Sequence, residues 1–594
     1  MFNYNPLNPL FNNKGGSAKF NEEISIKVES DSSFVELIIY DDKNANTIVY
    51  PLNWVGNCFA INFKLNVGLY FYYFKTNSGF YGKDDFLNSK FYSDEALVQK
   101  FQLSIYKSSY KTPNWLKGGF IYQIFPDRFN KSTIKEYKQK PIMRAWGEMP
   151  FYKPNEKGKI LNNDFFGGNF KGIEEKLDYL KGLGVNVIYL NPISLSYSNH
   201  RYDTSDYLKL DYLLGDESDF KDLVNSAHKK GIKIIIDGVY NHTGDDSVYF
   251  NKYNNFESVG AYQSKKSKYY DWYSFQEYPD LYTSWWGIDV LPTINKNSKD
   301  FENFILDKVF EKYFSFGVDG VRLDVVDELP TPFVKKIRKK IKKLNPNASI
   351  IGEVWEDATN KIAYSSRREY FLGDELDSVM NYPLKNALIN YLLTGDTRLL
   401  AKTTIEQINN YPNDALLSLM NILGTHDTPR IISVLSGKNF PNDREGQALF
   451  KLSNAELNLA KERLMLALCF MFTIYGTISL YYGDECLMQG LKDPFNRQCM
   501  DFANQDESVL KLIKKLAKIR SESDAIKLGK TEILDYKNGI FAFARTYNSE
   551  EILVVLNASN TSYEITANNY INLLEKTSDK YSLDKYSYLI LKRR

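Results

Sequence analysis

Three acidic residues each end a short apolar run and could carry acid–base or nucleophilic chemistry. Asp324 ends GVDGVRLD, Glu353 follows SIIG, and Asp427 follows His426 in LMNILGTHD. An apolar run that ends in a carboxylate is typical of a buried parallel strand whose C-terminal end opens into a site. One such acid is more often a helix N-cap or a turn residue. Three in the same architectural position indicate a functional site, because burying an unpaired carboxylate costs on the order of several kcal/mol.

Two neighbouring residues predict different roles for these acids. Arg322 lies two residues before Asp324, so both side chains share one side of the strand, where the guanidinium would lower the pKa of Asp324. Trp355 and nearby carboxylates would raise the pKa of Glu353 and favour a protonated general acid. A retaining glycosidase uses two carboxyl groups in these roles. Asp427 would then bind sugar hydroxyls without reacting.

The four histidines support this placement. His200, His242 and His426 each stand just beyond a candidate strand, where the Nε2 atom could donate to a sugar hydroxyl. His228 lies within the predicted helix DLVNSAHKKG, and we interpret it as structural because an isolated histidine usually is.

Eight apolar strands alternate with amphipathic helical patterns, which predicts a (β/α)₈ TIM barrel in the α/β class. The C-terminal strand ends of such a barrel converge, so the acids of the fourth, fifth and seventh strands would meet around one cleft. The predicted strands lie in GFIYQIFP (119–126), VNVIYLNP (185–192), IKIIIDGVY (232–240), GVDGVRLD (317–324), ASIIGEV (348–354), LDSVMNYP (376–383), LLSLMNIL (416–423) and ISLYYG (478–483).

Changes in pattern along the chain predict three domains. Residues 1–110 alternate apolar and polar residues in short runs, which predicts an N-terminal β-sandwich. Residues 113–522 form the predicted barrel, and 243–290 are too many for an ordinary loop, so they predict a small inserted domain after the third strand. Alternation returns in 523–594, which predicts a C-terminal antiparallel β-domain.

Composition excludes several classes of function. The 594 residues carry 75 Lys and Arg against 73 Asp and Glu, a net charge of +2. This balance lacks the strong excess of positive charge that binding to nucleic acid or acidic lipid favours. No apolar stretch reaches the roughly 18 to 20 residues that span a bilayer, and the first residues lack a signal-peptide pattern, so we expect a cytoplasmic protein. The four cysteines form no CxxC pair, which favours buried free thiols over disulfides or a zinc site.

Four ordered motifs resemble those of the α-amylase superfamily of glycoside hydrolases. They are DGVYNH (237–242), GVDGVRLD (317–324), GEVW (352–355) and THD (425–427). The resemblance extends over about 113–594. Four further segments resemble the neopullulanase, cyclomaltodextrinase and maltogenic amylase branch: YQIFPDRF (122–129), WWGIDVLPTIN (285–295), VMNYP (379–383) and YYGDE (481–485) with DPFNRQCM (493–500).

This resemblance implies Asp324 as nucleophile, Glu353 as acid/base and Asp427 as transition-state stabiliser. It further implies a set of substrate-binding side chains, most of them on the non-reducing side of the scissile bond: Tyr202, His242, Arg322, His426, Trp355 and Glu328. Asp203 fits a structural role with Arg322 or the neighbouring loops.

The chain departs from the family pattern at several positions. Residues 325–328 lack the Lys-His pair of endo-acting α-amylases, which disfavours long starch. Thr293 and Glu356 replace the usual Lys and His on the leaving-group side, which leaves the choice between α-1,4 and α-1,6 links open. Asn169 replaces a calcium-binding Asp, and FNKSTIKEY (129–137) lacks the usual ligands. We therefore expect no required cofactor and no metal in the site, and the sequence disfavours a structural calcium ion.

The expected activity is retaining hydrolysis of α-glucosidic bonds, mainly α-1,4 and in some substrates α-1,6, in maltodextrins, cyclodextrins or pullulan. A glucan transglycosylase using the same residues is the alternative, because the sequence does not fix whether water or a sugar accepts the glycosyl group. A non-catalytic sugar-binding relative is disfavoured, since all three carboxylates are retained. The expected partner is an α-glucan oligosaccharide, and the resemblance implies a homodimer through the N-terminal domain.

Overall fold

The computed structural model describes residues 1–133, 142–156 and 158–594. Two packed sheets form its N-terminal part, because their alternating apolar residues face one shared core. One sheet contains Phe2–Asn3, Ile24–Ser30, Asn53–Trp54 and Phe59–Phe63. The other, antiparallel except where Ser17–Lys19 pairs with the last strand, contains Ser17–Lys19, Val35–Asp41, Asn46–Pro51, Gly68–Thr76, Gly79–Lys83, Ser89–Tyr92 and Phe101–Tyr106.

The central sheet is a parallel eight-stranded barrel. A parallel bridge between Met380 and Met420 connects its sixth and seventh strands and closes it. The predicted fold class is confirmed, and each strand falls within its predicted segment or one residue beyond it. The strands are Phe120–Ile124, Val187–Leu190, Lys233–Gly238, Gly320–Leu323, Ser349–Gly352, Ser378–Val379, Met420–Ile422 and Thr477–Tyr481.

Amphipathic helices cover the outside of the barrel. Glu217–Lys229 shows the pattern: Asp216 and Asp219 form a capping box at its start, and its apolar residues face the core at helical spacing. The remaining helices of four or more residues are Pro126–Phe129, Phe170–Glu175, Leu177–Leu183, Lys299–Phe304, Ile305–Val309, Phe310–Ser315, Thr331–Leu344, Tyr382–Thr394, Arg398–Asn410, Asn413–Leu416, Ile431–Leu435, Arg444–Ala448, Asn454–Thr473, Glu507–Glu522 and Asp524–Leu528.

Short hairpins and single turns rise from the strand ends. After the third strand the chain forms the turn Tyr270–Trp272, the hairpin of Phe275–Glu277 with Leu281–Tyr282, and the turn Trp285–Gly287. After the fifth strand it forms the hairpin of Ile362–Ala363 with Ser366–Arg367. Both segments contribute side chains to the cleft described below.

The C-terminal part is antiparallel, as predicted. Its five-stranded sheet contains Lys530–Asp535, Ile540–Tyr547, Glu550–Asn557, Tyr588–Arg593 and Tyr570–Asn572, and a separate two-stranded antiparallel sheet pairs Tyr563–Thr566 with Lys580–Leu583. The domain boundaries drawn from the sequence stay predictions.

The cysteines are free thiols; three are buried, whereas Cys58 is only half-buried. Within the described ranges, no helix is both long and apolar enough to cross a membrane.

Candidate active site

A cleft of about 1470 Å³ lies over the C-terminal strand ends. The loops after most barrel strands contribute to its walls, and the three predicted catalytic acids are among its lining residues. The predicted binding residues that also line it are Tyr202, His242, His426, Trp355 and Glu328.

Arg322 lies beneath the cleft and forms ion pairs with three carboxylates. Its Nη1 donates to Asp237 Oδ1 at 2.8 Å and to Asp324 Oδ1 at 2.7 Å. Its Nη2 lies 2.8 Å from Glu353 Oε2. The side chain is almost fully buried, so its charge acts at low dielectric. The guanidinium therefore holds Asp324 and Glu353 close together, with a hydrogen bond to Asp324 and an ion pair to Glu353.

The expected low pKa of Asp324 is wrong. Burial raises the pKa of Asp324 well above its ordinary value, and the charges of Glu353, Asp237 and Asp427 add to that rise, although Arg322 opposes it. Burial outweighs the charge of Arg322, which is shared with Asp237 and Glu353. A nucleophilic carboxylate has to be ionised, and the charge of Arg322 is the contribution that lowers the pKa of Asp324 and favours that form.

The two carboxylate oxygens of Glu353 have different hydrogen-bond environments. Oε2 accepts from the backbone N–H of Val325 at 2.9 Å and faces Arg322, whereas Oε1 accepts from Trp355 Nε1 at a longer 3.3 Å. Oε1 is the more weakly held oxygen and is better placed to carry a transferable proton. Trp355 itself stacks on Tyr382 with ring centroids 3.9 Å apart and leaves 47% of its surface exposed.

Val325, next to Asp324, has a left-handed backbone with φ of 37°. A β-branched residue rarely adopts this conformation, which costs on the order of 1 to 3 kcal/mol. This turn directs the Val325 N–H to the Glu353 carboxylate. The strained backbone next to Asp324 thus positions Glu353 relative to Asp324.

Asp427 lies at the opposite side of the acid cluster. Its Oδ2 is 3.1 Å from His426 Nε2, and its Oδ1 is 3.5 Å from Arg497 Nη2. Burial at the base of the cleft and the charge of Glu353 raise the pKa of Asp427 to about 7, although 35% of the side chain remains accessible. Asp427 is thus within reach of a ligand and is held in place on both sides.

Three histidines present neutral rings to the cleft. Gln123 donates to His426 Nδ1 at 2.9 Å, and the Tyr202 backbone donates to His200 Nδ1 at 3.1 Å, which assigns the proton to Nε2 in both rings. Burial lowers the pKa of His242 to about 3, and its buried Nε2 has no protein partner. These N–H groups can donate to sugar hydroxyls without carrying charge.

Tyr202 forms one flat wall beside these rings. It stacks on His426 with centroids 5.1 Å apart, and its hydroxyl donates to Asp237 at 2.7 Å. Asn191 holds the same hydroxyl at 3.0 Å. The ring is therefore fixed in orientation, as a platform under a sugar requires.

Three smaller expectations concern residues around the cleft. Asp203 contacts a neighbouring loop, which is one of the two structural roles expected for it: it accepts a hydrogen bond from the Ser198 backbone N–H at 3.1 Å. Glu356 lines the cleft, but Thr293 is not among the lining residues; it forms a backbone bridge with His242.

Asn169 does not fit a metal ligand, because its Oδ1 accepts the Gly172 N–H at 2.7 Å as a helix N-cap. In the described part of the chain, no group of three or more His, Cys, Asp or Glu side chains is arranged for a metal ion. Residues 134–137 of the FNKSTIKEY segment lie outside the described residues.

Two site residues were not identified from the sequence. Asp237 is a fourth strand-end acid, buried between Arg322 and two tyrosines, and its place at the end of IKIIID carries the same signal as the other three. Arg497 comes from the loop after the eighth strand; it lies in the segment DPFNRQCM that resembles the family branch, but nothing local in that segment predicts its contact with Asp427.

Comparison with known proteins places this geometry in a family. The description "Alpha amylase, catalytic domain" matches residues 123–503. The chain belongs to this family. The resemblance that the four motifs indicated is thereby confirmed, and relatives named cyclomaltodextrinase and neopullulanase support the predicted branch within this family of glycoside hydrolases.

Two sequence relatives and one structure illustrate the similarity. The chain is 33% identical to an amylopullulanase of Thermoanaerobacterium saccharolyticum over 94% of its own length and 48% of that protein. It is 34% identical to a cyclomaltodextrinase of Thermoanaerobacter pseudethanolicus over 78% of this chain and 74% of the relative. The type III pullulan hydrolase from Thermococcus kodakarensis is similar over the full length of both chains, with 25% identity and a TM-score of 0.70. The chain spans less than half the length of the amylopullulanases it matches.

Proposed function

We propose that this family member is a retaining glycoside hydrolase that cleaves α-glucosidic bonds in maltodextrins, cyclodextrins or pullulan. The observation that carries the proposal is the single guanidinium of Arg322, which forms ion pairs with both Asp324 and Glu353. Such close placement favours the retaining class, in which the two carboxyl groups stand about 5 to 5.5 Å apart. The names of the relatives supply the class of glucan substrate.

Each acid has one role in this mechanism. Glu353 donates its proton from Oε1 to the leaving oxygen while an Asp324 oxygen attacks the anomeric carbon, forming a glycosyl ester and releasing the leaving sugar. A water then attacks the same carbon and gives its proton to Glu353, which frees Asp324. Asp427 and the neutral His242 and His426 hold hydroxyls of the distorted ring, where hydrogen bonds strengthen in the transition state.

Transglycosylation is a second activity favoured by the rim of the cleft. Trp286, 81% exposed, and Trp355 stand on the leaving-group side, where an incoming sugar would bind. Aromatic faces favour a sugar over water in this position. With maltotriose at high concentration, we expect longer oligomers among the early products. If no longer oligomers form, hydrolysis is the only activity that remains proposed.

The first test replaces the proposed nucleophile. Asp324→Asn should reduce turnover of β-cyclodextrin and maltotriose by about 10⁴-fold or more, because the ester can no longer form. A matched control is Asp319→Asn. Asp319 lies at the N-terminal end of the same strand and bonds His228 and Lys233, so its loss should affect stability and leave turnover per folded molecule within about twofold.

The stereochemistry of the product provides an independent test. Proton NMR of the first minutes of maltotriose hydrolysis should show the α-anomer, as double displacement requires. Initial β-anomer would contradict the retaining mechanism, and full activity of Asp324→Asn would refute its role. Parallel digestion of maltotriose, β-cyclodextrin, pullulan and starch, followed by product chromatography, would identify the linkage that is cut.

A further inference from the structure

The hairpin after the fifth strand is too short and too strained to be stable by itself. Its strands, Ile362–Ala363 and Ser366–Arg367, have two residues each. Both turn residues are left-handed, Tyr364 with φ of 51° and Ser365 with φ of 59°. Such a turn favours Asn and Gly, so this pair costs on the order of 1 to 3 kcal/mol per residue. Contacts outside the hairpin must therefore stabilise it.

The same hairpin carries exposed apolar surface into the cleft. Ile362 is 59% and Tyr364 67% exposed, and both line the cleft on the side of Glu356 and Trp286. The Tyr364 hydroxyl bonds Glu328, whose Oε1 lies 3.4 Å from Trp286 Nε1. Tyr364 is thus part of the wall that faces the leaving-group sugars.

Two side chains of the N-terminal sandwich hold this segment at both ends. Asp42 accepts from Arg367 Nε at 2.8 Å and from Nη2 at 2.9 Å, a bidentate pair that is mostly shielded from solvent. Gln102, which is buried, donates to Thr359 Oγ1 at 2.9 Å and accepts from Asn360 Nδ2 at 2.8 Å.

A second set of contacts connects the segment to the loop that follows Asp324. Arg368 donates to the backbone oxygens of Asp327 and Leu329, and the Tyr370 hydroxyl donates to Asp327 Oδ1. A continuous line of polar contacts therefore runs from the N-terminal sandwich to the nucleophile loop.

We propose that the N-terminal sandwich shapes the cleft of its own chain, with Asp42 and Gln102 as positioning residues that hold 359–367 as the leaving-group wall. This inference rests on the proposed function, because the wall matters only when a sugar binds there. Loss of either anchor frees a strained hairpin, which moves Ile362 and Tyr364 away from the incoming sugar. The expected consequence is weaker binding of substrates that reach this wall, with the chemistry at Asp324 intact.

The test uses the full chain with Asp42→Asn, Gln102→Ala and the conservative Asp42→Glu. The control is Glu406→Gln, which removes a different ion pair between the sandwich and the barrel, Lys83 with Glu406 at 2.7 Å and similar burial. Two quantities are measured: hydrogen exchange of peptides covering 359–370, and KM and kcat for maltohexaose and for 4-nitrophenyl α-maltoside, whose leaving group is small.

In the Asp42→Asn and Gln102→Ala variants, the amide hydrogens of residues 359–370 should exchange at least fivefold faster than in wild type. Both variants should raise KM for maltohexaose about fivefold and leave kcat for the nitrophenyl substrate within twofold of wild type. In Asp42→Glu and Glu406→Gln, both the exchange rate and KM should stay near the wild-type values.

Unchanged exchange in both anchor variants overturns the proposal, as does faster exchange with unchanged KM or an equal effect in the control. If wild type cleaves neither substrate, the proposed function has failed, and the specificity role fails with it; the exchange measurement then decides only whether the anchors hold the segment.

Discussion

One guanidinium serves three carboxylates at the base of the cleft, and this decides how each residue there behaves. Arg322 cannot neutralise Asp237, Asp324 and Glu353 together, so the cluster carries excess negative charge. Burial raises the pKa values of Asp237, Asp324 and Asp427, and neighbouring carboxylates add to the rise for Asp324 and Asp427. Around them, hydrogen bonds to Nδ1 fix the tautomers of His200 and His426, so donors face the ligand.

At the residue scale, removing the charge of Asp427 should stabilise the fold. Its folded pKa is raised from 3.8 to about 7, so between these values the folded state binds more protons than the unfolded state. The contribution of this group to stability is therefore highest below about pH 4 and falls as pH rises to 7. Asp427→Asn should raise the thermal midpoint at pH 8, raise it less at pH 5, and reduce turnover severely.

Differential scanning fluorimetry at both pH values measures this effect. Asp85→Asn is a control of opposite sign, because the ion pair with Lys402 lowers the pKa of Asp85, and removing that charge should not stabilise the fold. A lower midpoint of Asp427→Asn at pH 8 would contradict the assigned charge penalty.

The elements place these residues by simple rules. Parallel strands end together, so Asp237, Asp324 and Glu353 reach one face of the barrel from neighbouring strands, and Asp427 follows the seventh. The left-handed turn at Val325 then re-aims the chain toward Glu353. Alternation and apolar runs made the strands predictable. Side chains such as Arg497, which come from long loops, have no such periodicity and were missed.

At the element scale, Asn169 should act as a helix cap. Asn169→Ala leaves the Gly172 N–H without its acceptor and should cost about 1 kcal/mol in urea unfolding. Asn169→Asp keeps an acceptor and should be nearly neutral. Chelator treatment of wild type should leave the unfolding midpoint unchanged, as the sequence expectation on calcium requires; a large loss on chelation would contradict it.

For the whole molecule, the sandwich, barrel and C-terminal sheet contact one another through many polar pairs and aromatic stacks. Besides Asp42 with Arg367, these include Lys107 with Asp374 and the stack of Phe86 on Tyr536, 4.9 Å between centroids. The predicted homodimer through the N-terminal domain is a separate matter, because the contacts described here lie within one chain.

At the scale of the whole molecule, the predicted homodimer can be tested in solution. Light scattering should give about twice the chain mass of 68.8 kDa if the sandwich also mediates dimerisation. Cyclodextrin turnover should then fall at dilutions that dissociate the dimer. A monomer with full cyclodextrin activity would contradict that prediction and would leave the N-terminal domain acting within its own chain.

The sequence by itself determined the barrel, the order of its strands and the three acids at their ends, because periodicity and strand-end position are local properties of a chain. Only the tertiary structure decided how charge is shared. Arg322 is two residues from Asp324 in sequence, yet it also hydrogen-bonds Asp237 and forms an ion pair with Glu353. The anchors at Asp42 and Gln102 were likewise invisible, since each meets its partner more than 250 residues away, where contact depends on packing of domains and not on any local pattern.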